Sequence, residues 1–185
     1  FLASLDAVRA AFKEAGGGPF PMLQTVVEGA RSFQREVADI RAKIDPQGCV
    51  VDQATSDLRT IRERLHKQRN RLRSTLESYL RGRDTAKYLQ EQVITECNGR
   101  FVLIVRSEQR GAIPGIVHRS SGSGASLFLE PLSTVEINND IVALEEDETK
   151  EIRRILLMLA DALRKRGLDL RRTIAAATDL DVIQA

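Results

Sequence analysis

A narrow apolar stripe runs through residues 52–88 and constrains the fold more than any other feature of this sequence. The residues of the stripe alternate at spacings of three and four, which is the pattern of a helix with one buried seam. They are Leu58, Ile61, Leu65, Gln68, Leu72, Thr75 and Tyr79. No proline or glycine interrupts the segment before Gly82. We therefore predict a helix of roughly 55 Å, at 1.5 Å per residue, that needs one partner helix rather than a surrounding core.

A second stripe after Pro131 predicts the partner, a helix over residues 133–170 of about the same length. Its apolar positions are Ile137, Ile141, Leu144, Ile152, Ile155, Leu159 and Ala162. Two long helices that flank a compact insertion bury their stripes by pairing antiparallel, like the two sides of a hairpin. We expect them to form a helical arm.

The insertion, residues 89–132, reads as a β-rich module. Four short runs favour strands: 93–95, 101–105, 115–118 and 126–129. The dipeptide Asn98-Gly99 between the first two is the strongest short-range hairpin signal, because a type I′ turn needs positive φ at both central residues. The predicted fold class is therefore mainly α with a small β module, a long antiparallel helical arm with an antiparallel β-rich insertion at its tip.

The flanking segments are less regular. Residues 1–44 predict two helices, with Gly16, Gly17, Gly18 and Pro19 between them and the second running from Leu23 to Ile40. A turn is expected at residues 45–48, and residues 49–51 are a short strand or an extended linker. Residues 171–185 are expected to return to the region of residues 1–44. The chain begins at Phe1 and stops within an apolar stretch, so we interpret it as a piece of a larger protein.

Composition narrows the class of protein. Only 4% of residues are aromatic and Trp is absent, which favours long helices over a deep core. Two cysteines, Cys49 and Cys97, are too few for a disulfide framework and match no zinc spacing, so reduced thiols in a cytoplasmic protein are expected. The sequence contains no run of 18 apolar residues, so no association with a membrane is expected.

Charge is unevenly distributed along the predicted arm. Residues 57–87 contain ten Lys or Arg against four Asp or Glu, whereas residues 134–151 contain seven acidic residues and one lysine. One interpretation is ion pairing between the helices and solvation. The other is nucleic-acid binding, which requires basic residues that the acidic helix does not cover. Residues in or beside the β module fulfil that requirement best, and we predict that they engage phosphates. They are Lys87, Arg100, Arg106, Arg110, His118 and Arg119.

The sequence shows no catalytic constellation. The loop Ser121-Gly122-Ser123-Gly124 resembles a phosphate-binding loop only in composition, since no Lys-Ser/Thr pair follows it and the next element is a strand. His66 and His118 are too far apart in sequence to indicate a site. We therefore expect no catalytic, cofactor-binding or metal-binding residue in this chain.

Five stretches between residues 110 and 152 carry a family resemblance. Residues 110–118 read RGAIPGIVH and residues 121–131 read SGSGASLFLEP. They are followed by VEINN at 135–139, LEE at 144–146 and EI at 151–152. This sequence resembles the second bacterial branch of the MutS family, which is related to mismatch-repair MutS but lacks its N-terminal mismatch-recognition domains. Residues 45–62 resemble that branch as well.

The resemblance implies names for the predicted regions. Residues 1–51 and 171–185 are parts of a core domain, the helices 52–88 and 133–170 form a lever, and residues 89–132 form a clamp. It also implies a homodimeric parent protein that binds ATP and Mg²⁺ and often carries an Smr-type endonuclease module. This chain contains no Walker motif, so those activities are expected outside it.

The resemblance leaves three functions open. The first is binding of branched DNA or recombination intermediates, in suppression of homologous recombination. The second is binding to ribosomal RNA, in rescue of stalled or collided ribosomes. The third is a purely structural role as lever and dimer contact. Arg and Lys contact the phosphates of either nucleic acid, so the residues do not separate the first two.

Overall fold

The computed structural model describes residues 2–14 and 21–184, and it is mainly helical with one small sheet. The helices are α1 Leu2–Glu14, α2 Pro21–Gly29, α3 Gln34–Lys43, α4 Ser56–Arg81, α5 Arg83–Ala86, α6 Leu132–Lys165 and α7 Gly167–Gln184. The strands are β1 Leu89–Cys97, β2 Arg100–Arg106, β3 Gly115–Ser120 and β4 Ser126–Pro131. The chain divides into two compact units. The sheet unit is Ser56–Glu151, and the helical unit contains the residues up to Thr55 and those from Ile152 onward.

Within the sheet unit, α4 and the first half of α6 run antiparallel. Arg62 Nε donates to Glu148 Oε1 at 2.7 Å, and Arg69 donates to Glu145 Oε1 at 2.6 Å. Nearer the end of α4, the Tyr79 hydroxyl lies 3.0 Å from Ser133 Oγ. The residue numbers of the bonded partners thus increase along α4 as they decrease along α6. This is the antiparallel pairing that the two stripes predict. Leu58, Leu65, Leu72 and Leu76 are the buried residues of α4.

Both long helices differ in extent from their predictions. The helix predicted over 52–88 is α4, of 26 residues, which corresponds to about 39 Å rather than 55 Å. Thr55 before it and Gly82 after it have extended backbone, with ψ of 158° and 123°. The Thr85 hydroxyl donates to the carbonyl of Tyr79 at 2.6 Å and satisfies one of the acceptors that the end of α4 leaves open. The second helix, α6, runs for 34 residues and gives way to α7 at Gly167.

The sheet is antiparallel with strand order β1-β2-β4-β3. The predicted two-residue turn is confirmed, since Asn98 has φ 54°, Gly99 has φ 74°, and Cys97 pairs with Arg100. β1 begins at Leu89, four residues before the run that predicts it, and its pairing with β2 shifts register twice before Ile94. Polar residues interrupt the apolar pattern there, so composition alone does not mark the start of the strand.

The core of the sheet unit lies between the sheet and the two helices. Its buried residues are Leu72, Leu76, Leu89, Leu103, Val105, Ile113, Leu129, Ile137 and Ile141. The cluster contains residues of the helices α4 and α6 and of the strands β1, β2 and β4. Val117 of β3 packs against it. The apolar stripes of the helices therefore serve two purposes, because they face each other and also hold the sheet.

A buried carboxylate ties the sheet to α6. Glu130 of β4 is fully buried and receives hydrogen bonds from three side chains: Arg100 at 2.8 Å, the Nε2–H of His118 at 2.6 Å and Asn138 Nδ2 at 2.8 Å. Asn138 also bonds both the N–H and the carbonyl of Phe101, each at 3.2 Å. These residues, which we call the Glu130 network, come from β2, β3, β4 and α6, and thus tie three of the four strands to that helix.

The helical unit corrects the prediction of two helices for residues 1–44. The run predicted from Leu23 to Ile40 is two helices, α2 and α3, so the described residues of this region contain three. Residues 30–33 interrupt the run because distant side chains bind their backbone. Thr173 Oγ1 accepts the N–H of Arg31 at 2.9 Å, and the buried Asp6 accepts that of Phe33 at 3.3 Å. The predicted break at residues 16–19 lies outside the described residues.

Arg166 organises the start of α7 in this unit. Its guanidinium lies 4.2 Å from the centre of the Phe33 ring and donates to Glu36 Oε1 at 2.8 Å. This hydrogen bond holds the pKa of Glu36 below its usual value, and the pKa of Arg166 is raised by the same contact. Arg166 therefore joins the segment before α7 to α3.

The turn predicted at residues 45–48 is confirmed. Asp45 Oδ1 accepts the N–H groups of Gln47 at 3.0 Å and Cys49 at 2.8 Å, and Gly48 takes a φ of 86°. Val50 then forms an isolated bridge with Ile44, so residues 49–51 are an extended linker with a single bridge rather than a strand.

The antiparallel register of α4 and α6 predicts an intramolecular crosslink. Gln68 Nε2 donates to Asp140 Oδ2 at 2.7 Å on the exposed side of the pair. Cysteines at both positions, with Cys49 and Cys97 replaced by alanine, should join within one chain under a short bismaleimide. Mass spectrometry after proteolysis identifies the linked peptides. Products formed only between chains would contradict this pairing, and the two single-cysteine variants are the controls.

Loss of the Glu130 carboxylate should destabilise the sheet unit strongly. Glu130→Ala removes the acceptor shared by a half-buried arginine, a half-buried histidine and a buried amide, and breaking a buried pair costs about 3–5 kcal/mol. Urea unfolding measures the loss. Glu146→Ala removes a carboxylate that is 67% exposed and should change stability by under about 0.5 kcal/mol. A loss below about 1 kcal/mol for Glu130→Ala would show that the network contributes little.

Acid should weaken the helical unit through Glu36. Its folded-state pKa is lowered, so its contribution to stability is present above the unfolded pKa and is lost as the pH falls through the folded pKa. The difference in unfolding free energy between the wild type and Glu36→Gln should therefore be largest near neutral pH and shrink below about pH 4.3. Urea titrations from pH 7 to 3 measure it. The exposed Glu14→Gln is the control, and an equal trend in both variants would contradict the assignment.

Candidate nucleic-acid interface

One end of the sheet is defined by a row of paired residues from all four strands. Leu89 of β1 pairs with Val105 of β2, which pairs with Leu127 of β4, which pairs with Ser120 of β3. Just beyond that row, the N–H of Arg106 donates to the carbonyl of Tyr88 at 3.0 Å. The chain segments before β1, after β2 and around the β3–β4 turn therefore meet at this end.

Four of the six predicted basic residues lie at or near this end, and all four are exposed. Lys87 precedes β1, Arg106 ends β2 and Arg119 is the penultimate residue of β3. Arg110 follows the single-turn helix Ser107–Gln109, with its N–H donating to the carbonyl of Ser107. We call these four residues the basic cluster. The topology of the sheet brings them together from segments up to 32 positions apart.

Local contacts orient three members of the basic cluster. Arg106 Nε donates to the carbonyl of Leu89 at 3.3 Å, and the Arg119 guanidinium lies 4.3 Å from the centre of the Phe128 ring. Lys87 Nζ lies 5.1 Å from the ring of Tyr88 and 3.8 Å from Asp84. The pair with Asp84 is exposed on both sides and is weak for that reason. Each side chain thus keeps its charge available to an approaching anion.

Arg100 and His118 lie elsewhere and have internal partners. Both bind the buried Glu130, and Arg100 also donates to Asn139. Recruiting either one to a phosphate would leave a buried carboxylate short of donors, which is costly. Their geometry is that of structural residues. Sequence reasoning missed this because Glu130 is 30 residues from Arg100 and 12 from His118.

The Ser/Gly loop at 121–125 closes the β3–β4 hairpin. Ser121 bonds Ser126 through its N–H at 2.8 Å and accepts the N–H of Ser126 on its hydroxyl at 3.1 Å. The N–H of Gly124 donates to the carbonyl of Ser121, and Gly124 has φ 72°. These bonds occupy backbone donors that a phosphate-binding loop would present to its ligand, in agreement with the sequence interpretation.

Ion pairs account for much of the basic charge on α4. Arg62 and Arg69 reach acidic residues of α6, while Arg59, Arg73 and Arg81 pair within α4 itself. An open groove of about 630 Å³ lies between α4 and the middle of β1, with Leu76, Val93 and Phe101 in its lining. Across residues 2–14 and 21–184, no group of three or more His, Cys, Asp or Glu side chains could hold a metal ion. In the same residues, no helix is long and apolar enough to cross a membrane.

No protein-family profile matches the chain. Individual proteins do, and each is named Endonuclease MutS2. The protein of Carboxydothermus hydrogenoformans is 34% identical over 174 residues, which cover 94% of this chain and 22% of that protein. That of Symbiobacterium thermophilum is 37% identical over 165 residues, covering 89% and 21%. That of Listeria monocytogenes is 40% identical over 147 residues, covering 80% and 19%.

The chain spans about a fifth of the length of these relatives. The matching residues include both units, since the longest match covers nearly the whole chain. Identity of 34–40% over most of the chain is the basis for a common origin. The chain is thus homologous to a segment of the MutS2-type proteins of the MutS family.

Proposed function

We propose that the sheet unit is a nucleic-acid-binding part of a MutS2-type protein, in which α4 and α6 act as a lever and the sheet as a clamp. The basic cluster is the observation that supports this most directly. Four exposed cations from four separate segments converge at one end of the sheet, and the two other predicted residues are bound to Glu130. An end that gathers cations without a matching set of carboxylates attracts a polyanion.

The chemistry of the cluster suits phosphates rather than bases. Arginine and lysine side chains on a phosphate backbone position a protein without reading sequence. Arg106 and Arg119 are already held by a backbone carbonyl and an aromatic ring, so binding immobilises less side-chain freedom than it does for free arginines. We therefore expect salt-sensitive binding with little sequence preference.

Branched DNA or a recombination intermediate is the partner we propose first, with suppression of homologous recombination as the role of the whole protein. The whole protein would be a cytoplasmic homodimer that binds ATP and Mg²⁺, and its relatives are named endonucleases. Ribosomal RNA, in ribosome rescue, is the alternative that the same phosphate chemistry allows.

A purely mechanical role is the second candidate, and one observation favours it. Arg62 and Arg69 are committed to Glu148 and Glu145, so part of the basic charge of α4 holds the helix pair together. If the basic cluster only solvates the sheet, the unit is a lever without a binding surface of its own.

Neutralising the basic cluster should weaken binding and reduce its salt dependence. The variant replaces Lys87, Arg106, Arg110 and Arg119 with glutamine. Because each lost phosphate contact lowers the slope of log K against log salt by about 0.9, the slope should fall by up to about 3.6 on duplex arms. Fluorescence anisotropy with a four-way junction, a duplex of equal length and purified ribosomal subunits, at several salt concentrations, measures it.

A matched control removes the same charge from the helical unit. The control replaces four exposed residues with glutamine: Lys13, Arg35, Arg41 and Arg172. These replacements lower the net charge by the same four units. The control should bind almost like the wild type. Equal affinities for the two variants would contradict the proposal. Stronger binding to the junction than to the duplex favours branched DNA, and binding to subunits alone favours the ribosomal alternative.

A further inference from the structure

A second set of basic residues lies on α4, outside the basic cluster. Arg64, Lys67 and Arg71 are spaced by three and four residues, so they share one face of the helix. All three are exposed. Within residues 2–14 and 21–184, none of these three side chains forms an ion pair or a hydrogen bond; the carbonyl of Arg71 accepts the Thr75 hydroxyl at 2.9 Å. We call these three residues the α4 stripe.

The α4 stripe is turned away from the elements that pack on α4. The residues that meet α6 and the sheet are Leu65, Leu72 and Leu76, with Arg62 and Arg69 at the edge of the contact. The stripe falls between these positions along the sequence. At 3.6 residues per turn, Lys67 lies about 160° from the buried seam, and Arg64 and Arg71 lie about 100–120° from it. Neither α6 nor the sheet covers it.

The positions of this face carry no acidic residue, and the neighbouring Glu63, four residues before Lys67, pairs with Arg59 instead. From Thr60 to Ser78 its positions are Thr60, Arg64, Lys67, Arg71, Ser74 and Ser78. A face that merely solvates a helix usually mixes charges of both signs at spacings of four, as α4 does elsewhere. Arg59 pairs with Glu63, and Arg73 pairs with Glu77, each four residues apart. The stripe keeps three cations without a counterion, and hydroxyl groups, which also contact phosphates, follow them.

We propose that the α4 stripe is a second nucleic-acid contact, which receives the phosphate backbone of a duplex laid along α4. Arg64 and Arg71 are about 10 Å apart along the helix axis. A duplex carries one negative charge per about 1.7 Å of its axis when both strands are counted, so about six phosphate charges lie within the length of the stripe. Contact is to the backbone alone and is therefore independent of sequence. This inference rests on the proposed function and adds a surface that the basic cluster does not include.

The stripe has its own matched pair of variants. Replacing Arg64, Lys67 and Arg71 with glutamine is compared with replacing Lys13, Arg35 and Arg41, which removes the same three charges from the helical unit. A third variant, Arg64→Lys with Arg71→Lys, keeps the charge. The probes are a 30-base-pair DNA duplex and an RNA duplex of the same length, bound to the full 185-residue chain across a salt series.

The glutamine stripe variant should lower the slope of log K against log salt on DNA by about 2–3, and affinity should fall at least about tenfold at low salt. The lysine variant and the helical-unit control should stay near the wild type. If the stripe variant loses affinity for both duplexes, the stripe binds A-form and B-form backbones alike. If it loses affinity for only one duplex, that duplex is the one that the stripe contacts. Far-UV circular dichroism should be unchanged, since the three side chains are exposed.

Two results are clearly distinguishable. If the stripe variant binds like its matched control while the basic-cluster variant loses affinity, the stripe inference is wrong and the proposed function stands. If the wild type shows no salt-dependent binding to either duplex, to the four-way junction or to ribosomal subunits, both are wrong.

Discussion

The sheet unit depends on a buried carboxylate. Burying Glu130 in an apolar setting costs several kcal/mol, and only well-placed donors offset that cost. Arg100, His118 and Asn138 supply three, and they come from β2, β3 and α6. An alternative register of any one of these elements would remove one of the three donors from the buried charge. Glu130 therefore selects one arrangement of strands and helix out of several that would bury similar apolar area.

This constraint decides which cations are available for function. Arg100 and His118 are basic and lie in the β module, so their position in the sequence makes them candidates for contacts with phosphates. In the fold, both side chains already bind Glu130. In the same way, Glu148 and Glu145 occupy Arg62 and Arg69 on α4. The basic residues of the basic cluster and the α4 stripe differ in that the fold pairs none of them with a buried carboxylate. The number of charges along the sequence does not reveal this difference.

The parts of the fold that the sequence predicted are those set by neighbouring residues. Asn98-Gly99 accommodates positive φ at both positions and so favours a two-residue hairpin, and the stripes on α4 and α6 follow from helical spacing. The parts that it did not predict are set by residues far apart. Asp6 and Thr173 end the helical run at residues 30–33 from distances of 27 and 142 positions. The Glu130 network and the gathering of the basic cluster at one end are likewise products of tertiary structure. The α4 stripe did carry a local signal, its spacing of three and four residues off the seam.

The way the sheet packs also bears on how a bound nucleic acid would act on the helices. Leu72 and Leu76 of α4, Ile137 and Ile141 of α6, and Leu103 and Leu129 of the sheet belong to one buried cluster. Close-packed cores transmit displacement rather than absorbing it, because their side chains have no free volume in which to move. The Glu130 network adds polar bonds of fixed geometry between the same elements. Within the sheet unit, therefore, a force applied at the basic cluster reaches both helices together. Under the proposed function, binding at the sheet and leverage through α4 and α6 would then act through one packed core.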